Sequence, residues 1–250
     1  MFTQEQIFQR FILAKGEQAL KNMQSATVLQ IGVGAVGGFC TEILCRCGLG
    51  RIILVDFDTV DVSNINRQIV ATTKTVGQPK VEIMKARIAD INPECKVETV
   101  LEKVDGKRIA ELIQQFKPTI VCDCIDLFVQ KCEIIQMCIN MEIPIVSSMG
   151  AARKHDPSKI NVCPLNEVDT CPLAKRVKKT LNLDHDKPTP LALAVLYKEN
   201  ACKQPVDENG LRTSLPSFSV ITTCFGVWVA HAAISYLLYG EFPKGFKRNN

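Results

Sequence analysis

The 250-residue chain carries 12 cysteines but no Cys-x-x-Cys pair. Its nearest spacings, Cys45 with Cys47 and Cys122 with Cys124, are two residues apart, which suits a structural zinc site poorly. The cysteines fall inside apolar runs, among them Cys40, Cys45, Cys47, Cys122, Cys124 and Cys138. They read as buried thiols of a reducing compartment rather than as a disulfide framework. The N-terminus has no apolar core of a secretion signal, being polar and mixed in charge, so a cytoplasmic location is expected. A strong excess of one charge sign is lacking as well. A net charge of +4 is too small for a protein that coats nucleic acid, and DNA is not expected as a partner; a local basic patch stays open. What the chain does have is apolar substance. At 46% hydrophobic residues, it can build the core of one large α/β domain over residues 1–250.

The densest signal lies between Val28 and Lys80. An apolar run from Val28 enters Gly32-x-Gly34-x-x-Gly37. A helix-like segment follows, with Gly48 placed to end it, and a second apolar run, Ile52–Val55, ends on Asp56. This is a strand, a glycine turn, a helix and a second strand. Such glycines let the backbone approach a phosphate, and the helix N-terminus offers it free N–H groups. A carboxylate about 20 residues on, here Asp56, suits ribose hydroxyls. The pattern alone says "nucleotide" and leaves open an empty βα turn. The continuation is more telling: Asp58, Ser63, Asn64, Arg67 and Gln68, then Lys80. So many polar and cationic groups beside a phosphate site indicate triphosphate chemistry over hydride transfer. Lys80 also stands in the first turn of a helix beginning at Pro79, where a cation opposes the helix dipole. It makes sense there if it faces a phosphate.

Asp56-x-Asp58-x-Val60-x-x-Ser63-Asn64-x-Asn66-Arg67-Gln68, followed by Val-Gly-Gln-Pro-Lys at 76–80, resembles the E1-like superfamily. That superfamily includes the ThiF and MoeB adenylyltransferases, the ubiquitin-activating enzymes and the tRNA threonylcarbamoyladenosine dehydratases. The resemblance runs from about Arg10 to near Leu238. It implies a Rossmann-like, doubly wound α/β fold, with a mainly parallel sheet and helices on both faces. It implies a homodimer in which Arg10 of one subunit reaches the ATP phosphates of the other. It assigns Gly32, Gly34, Ala35, Gly37, Asp56, Asp58, Ser63, Asn64, Arg67, Gln68, Lys80 and Asp126 to ATP. Within that set, Asn64, Arg67 and Lys80, with Arg10, stabilise the phosphates, and Asp126 binds Mg2+. Leu127 stands where relatives usually carry a polar residue after this aspartate. ThiF-like and MoeB-like proteins generally carry two CxxC zinc pairs, so their absence favours the dehydratase branch. The segments DPSKI, CPLAKRVKK and VLYKE resemble that branch too.

The remaining chain reads in order. Thr3–Asn22 is expected as one helix, capped by Thr3 and Gln6. Asp58–Thr75 is a long polar loop, and Pro79–Ile91 a helix closed by Asn92-Pro93. Lys96–Leu101 is a strand, Gly106–Phe116 a helix, and Thr119–Cys124 a strand with Asp126 just past its end. Phe128–Asn140 is a helix, Ile143–Ser147 a buried strand, and Gly150–Arg153 a small-residue turn. This alternation is that of a parallel sheet, whose ligands bind beyond the strand C-termini.

The half after 151 looks less regular. Ala174–Lys179 is strongly basic. Asp184–Ser217 is rich in Pro and charge, with a strand at Leu193–Tyr197 and some disorder expected. Phe218–Tyr239 approaches bilayer length but is expected as a buried helix at the core or a dimer contact, with His231 a core histidine. Lys244, Lys247 and Arg248 make a basic tail. Cys163, Cys171 and Cys224 are expected as free thiols.

The expected activity is ATP-dependent adenylation of a carboxylate. The resemblance points to that of t6A in tRNA, closed to its cyclic form. One alternative is activation of the C-terminal glycine of a sulfur-carrier or ubiquitin-like partner protein. Another is a catalytically silent nucleotide-binding protein.

Overall fold

The structure, a computed structural model, describes residues 2–184, 191–199, 202–208, 211 and 215–243. Its centre is a seven-stranded sheet in the order β3-β2-β1-β4-β5-β7-β6. The strands are β1 (Thr27–Ile31), β2 (Arg51–Val55), β3 (Lys96–Val100), β4 (Ile120–Asp123), β5 (Ile145–Ser148), β6 (Ile160–Pro164) and β7 (Ala192–Tyr197). Pairing is parallel except between β6 and β7. Helices connect them: α3 (Gly37–Arg46), α4 (Lys80–Ile91), α5 (Gly106–Phe116), α6 (Phe128–Asn140) and α7 (Pro172–Thr180). Two helices, α1 (Gln4–Lys15) and α2 (Glu17–Ser25), precede the sheet, and α8 (Ser219–Tyr239) comes after it. This is the doubly wound α/β architecture expected.

The strands are apolar on both sides because both sides are covered. Ile52 and Leu54 face one core, shared with α3, α4 and α8; Ile53 and Val55 face the other, shared with α5, α6 and α7. β1 and β4 divide in the same way, Val28 and Ile120 to the first core, Leu29 and Val121 to the second. All 12 cysteines are free thiols. Burial pushes the Cys138 thiol up, and Cys163 up to about 11.

Several sequence expectations need correction. The first helix is two helices, broken at Gly16, whose φ of +89° no helix can carry; the Thr3–Gln6 capping box is present. Pro79 caps α4 from outside, so Lys80 is its first helical residue. The loop after Asp58 is ordered, with a 3-10 turn at Val62–Asn64 and a bridge from Thr59 to Pro79. The later half is more regular than expected: β6 is a strand beyond those expected, and it pairs with β7 to close the sheet. Part of the stretch 184–217, and the basic tail Lys244, Lys247 and Arg248, lie outside the described residues.

Helix α8 is long and apolar enough to cross a membrane by length and composition, yet half of it is buried against this fold. It packs closely on α3: a Cβ at Gly226 would stand 2.6 Å from the carbonyl oxygen of Val36. Its outer face is not core. Val220 and Val227 are each 43% exposed. His231 is exposed too, not the core histidine expected, and stands edge-on to Trp228 with ring centroids 5.6 Å apart.

Candidate functional site

A cavity of about 650 Å³ opens beyond the C-terminal ends of β1, β2, β4 and β5. It lies where the strand order reverses between β1 and β4, the place where doubly wound sheets bind ligands. Three segments, the glycine turn, the loop after β2 and the loop after β4, build one side of it.

The first is the glycine turn. Gly32 has φ +85° and sits so close to β4 that a Cβ would meet the Cys124 carbonyl carbon at 3.0 Å. A Cβ on Gly37 would fall 1.9 Å from Gly32 O, so the turn closes only with glycine there. Gly37 therefore shapes the turn and is not a wall residue; Gly32, Gly34 and Ala35 line the cavity.

The second is Asp56 with the loop beyond it. Asp56 Oδ2 accepts from Val33 N at 2.7 Å and Oδ1 from Asp58 N at 2.9 Å, which ties the end of β2 to the glycine turn. Burial raises its pKa, against those two N–H bonds and the charge of Lys80. Lys80, 5% exposed, donates to Asp58 Oδ2 at 2.7 Å. Asp61 caps the 3-10 turn by accepting from Ser63 N, and Asn64 Oδ1 returns to Asp61 N at 3.2 Å. That reciprocal box fixes buried Asn64 in the wall. Arg67 Nη1 is held by Ser63 O at 2.7 Å and Asn66 Oδ1 at 2.8 Å. Ser63 is exposed and outside the cavity lining, a correction to its expected place; it braces its neighbours, its Oγ accepting from Asn64 Nδ2 at 3.5 Å and its carbonyl from Arg67. Gln68 lines the cavity with Oε1 buried and without a hydrogen-bond partner among the described residues.

The third is the loop after β4. Asp123 and Asp126, at and just beyond the end of β4, differ in surroundings. Asp123 is fully buried and accepts from Lys131 Nζ and Ser147 Oγ, each at 2.6 Å, while its Oδ1 takes Ile125 N at 3.2 Å. Asp126 is exposed and lines the cavity; among the described residues it has no ion-pair partner.

The opposite wall is not legible in the sequence as chemistry. Ser148, Gly150, Ala151 and Ala152 form it after β5, with Leu173 at the start of α7, Ser217, and Thr222 of α8. Of these, the sequence marks only the turn at 150–153. Glu102 and Lys103 complete the rim. The described lining thus holds five carboxylates, Asp56, Asp58, Asp61, Glu102 and Asp126, against three cations, Arg67, Lys80 and Lys103. Arg10 is exposed on α1 and outside this cavity in its own chain.

A family model described as "ThiF family" matches residues 4–242. The chain is 44% identical to a tRNA threonylcarbamoyladenosine dehydratase of Bacillus subtilis over 70% of this chain and 68% of that protein. The crystal structure of the E. coli tRNA N6-threonylcarbamoyladenosine dehydratase TcdA in complex with AMP superposes with a TM-score of 0.85. It is 31% identical, covering 94% of this chain and 95% of that one; the same E. coli protein in complex with ATP gives 0.84. A molybdopterin-synthase adenylyltransferase of Haemophilus influenzae is 34% identical over 59% of this chain and 58% of that protein.

Proposed function

The chain belongs to the ThiF family, and we propose accordingly that it adenylates the carboxylate of t6A in tRNA and so closes the nucleoside to its cyclic form. The observation that carries this reading is the convergence of Asn64, Arg67, Lys80 and Asp126 on one cavity with the glycine turn and Asp56. The likeness to dehydratases, one solved with ATP and with AMP, chooses the substrate.

The residues divide the work. The glycine turn receives the phosphates with its N–H groups, and Asp56 and Gln68 offer acceptors to the nucleoside. The substrate carboxylate attacks the α-phosphorus, which gives an acyl-adenylate and pyrophosphate. Arg67, Lys80 and the amide of Asn64 oppose the charge on the phosphates, a matter of positioning and fixed charge. Nitrogen of the same substrate then attacks the activated carbonyl, the ring closes and AMP leaves. No enzyme nucleophile is required. Asp126 lines the cavity with no ion-pair partner among the described residues, and Mg2+ prefers one or two carboxylates with phosphate oxygens. Among the described residues no three metal-ligating side chains cluster, so Asp126 would hold the cation together with phosphate oxygens and water, and the cation when bound would neutralise phosphate charge.

Two features support a homodimer. The outer face of α8 is apolar and exposed at Val220 and Val227, and Arg10 is exposed on α1, where it could enter a neighbour's cavity. The tRNA reading is supported by α7, whose Leu173 lines the cavity while Lys175, Arg176 and Lys179 are exposed. Arg176 lies 3.7 Å over the ring of Phe128 at the start of α6. Twelve free thiols agree with a cytoplasmic setting. Activation of a ubiquitin-like or sulfur-carrier protein is the second reading, favoured by the molybdopterin-type likeness and opposed by the missing CxxC pairs.

Incubation with ATP, magnesium and t6A-bearing tRNA tests the choice. Loss of water from the nucleoside with release of AMP is expected. An intact nucleoside, together with pyrophosphate exchange that requires a ubiquitin-like protein, would select the second reading.

A further inference from the structure

The segment after β5 hides a cation that the chemistry above leaves unused. Lys154 is 6% exposed. Its Nζ donates to the carbonyl of Gly150. It lies over two rings, 5.3 Å from the centroid of Tyr197 on β7 and 5.5 Å from that of Phe225 on α8. The other two buried lysines have carboxylates, Lys80 with Asp58 and Lys131 with Asp123; Lys154 has none among the described residues. Burial depresses its pKa, and neighbouring Arg153 adds to this while Cys171 opposes it. An ammonium taken out of water without a counter-ion is costly to keep, and ring faces recover part of that cost.

Gly150 connects this cation to the site. Ser148–Ala152 line the cavity at the end of β5, across the β1–β4 reversal from β2 and its loop, and a Cβ at Gly150 would stand 4.0 Å from Lys154 Nζ. A carboxylate that must approach a triphosphate meets repulsion twice, from the phosphates and from a lining in which carboxylates outnumber cations five to three. A buried, already desolvated positive charge behind the far wall acts through a low-dielectric path and needs no rearrangement when an anion arrives.

We propose that Lys154 is the positioning residue for the substrate carboxylate: through Gly150 it fixes the wall after β5, and its buried charge draws the carboxylate, not the nucleotide, to that side. The inference rests on the carboxylate-adenylating reading above.

Full-length wild type, Lys154→Met, Lys154→Gln and Lys154→Arg are compared with t6A-bearing tRNA, ATP and magnesium, and ATP binding is titrated separately. Met keeps the bulk between the rings and removes the charge; Gln can still donate to Gly150 but is neutral. For both, kcat/KM for tRNA should fall roughly tenfold or more while the Kd for ATP stays within about twofold, and Arg should restore most of the loss. If Met does not fold, Gln alone decides. Wild-type kcat/KM in Gln overturns the proposal. So does a parallel loss of tRNA and ATP affinity that Arg does not rescue, because that pattern marks a purely structural lysine. A wild type that leaves t6A open refutes the adenylation reading and this inference with it, whereas an active wild type with indifferent variants refutes only the role of Lys154.

Discussion

Replacing Lys80 by Met separates binding from stability, because the two ends of its ion pair sit in different surroundings. The Lys80 side chain is 6% exposed and that of Asp58 47%. After Lys80→Met, Asp58 can be hydrated where it stands, so the fold should lose under about 1 kcal/mol. At this chain length that moves the melting temperature by only a few degrees. The cavity, by contrast, loses one of three cations and the one fixed at the start of α4 by its bond to Asp58. A hydrogen bond to a charged group contributes about 1.5–3 kcal/mol, which is roughly a 10- to 150-fold weakening of ATP binding. Isothermal titration with ATP, alongside a thermal melt of the apo protein, measures both. Lys80→Met with ATP affinity within about twofold of wild type would refute the placement of the phosphates at α4. A large fall in melting temperature with unchanged affinity would make Lys80 a packing residue.

Lys131→Met should behave in the opposite sense. Its partner Asp123 is 0% exposed and cannot be rehydrated, so stability should fall by about 3–5 kcal/mol, with a melting temperature lower by on the order of ten degrees in calorimetry. Glu42 supplies a pH test. Burial alone would raise its pKa, but the hydrogen bonds from Arg87 and then Arg46 outweigh burial and hold it below the ordinary carboxylate value. A depressed folded-state pKa stabilises above the unfolded value and is lost as pH falls through the folded one. Glu42→Gln should therefore cost about 1 kcal/mol at neutral pH, discounted for two arginines that are each about half exposed. In urea melts the gap to wild type should close below the carboxylate range.

The first half was legible because its signals are local. Ile52–Val55 is apolar without alternation, as a strand covered on both faces must be, and Gly32, Gly37 and Asp56 are fixed by backbone geometry that sequence spacing carries. Asn64 and Arg67 were readable as cavity residues because the loop that carries them follows a strand C-terminus, and the structure adds how they are held. The far wall escaped because Gly150, Ala151, Ala152 and Leu173 have no chemistry of their own; the topology alone brings them to the cavity. Ser63 reads as a ligand by type, yet its Oγ and carbonyl turn to Asn64 and Arg67 beside it, contacts that sequence spacing does not reveal. β6 is short and ends on Pro164, so its Ile160–Val162 alternation was too brief to register. Helix α8 is apolar all round, which removes the periodicity that tells a buried face from an exposed one, and His231 was misplaced for that reason.

In the proposed reaction, the oxygen that captures the α-phosphorus belongs to the substrate carboxylate. t6A-bearing tRNA labelled with heavy oxygen in that carboxylate, incubated with ATP, magnesium and the protein, tests this in one mass spectrum. One heavy atom should appear in the released AMP, none in pyrophosphate, and the cyclic nucleoside should be lighter by one labelled oxygen. Unlabelled AMP beside a cyclised nucleoside, or ADP in place of AMP, would contradict that transfer.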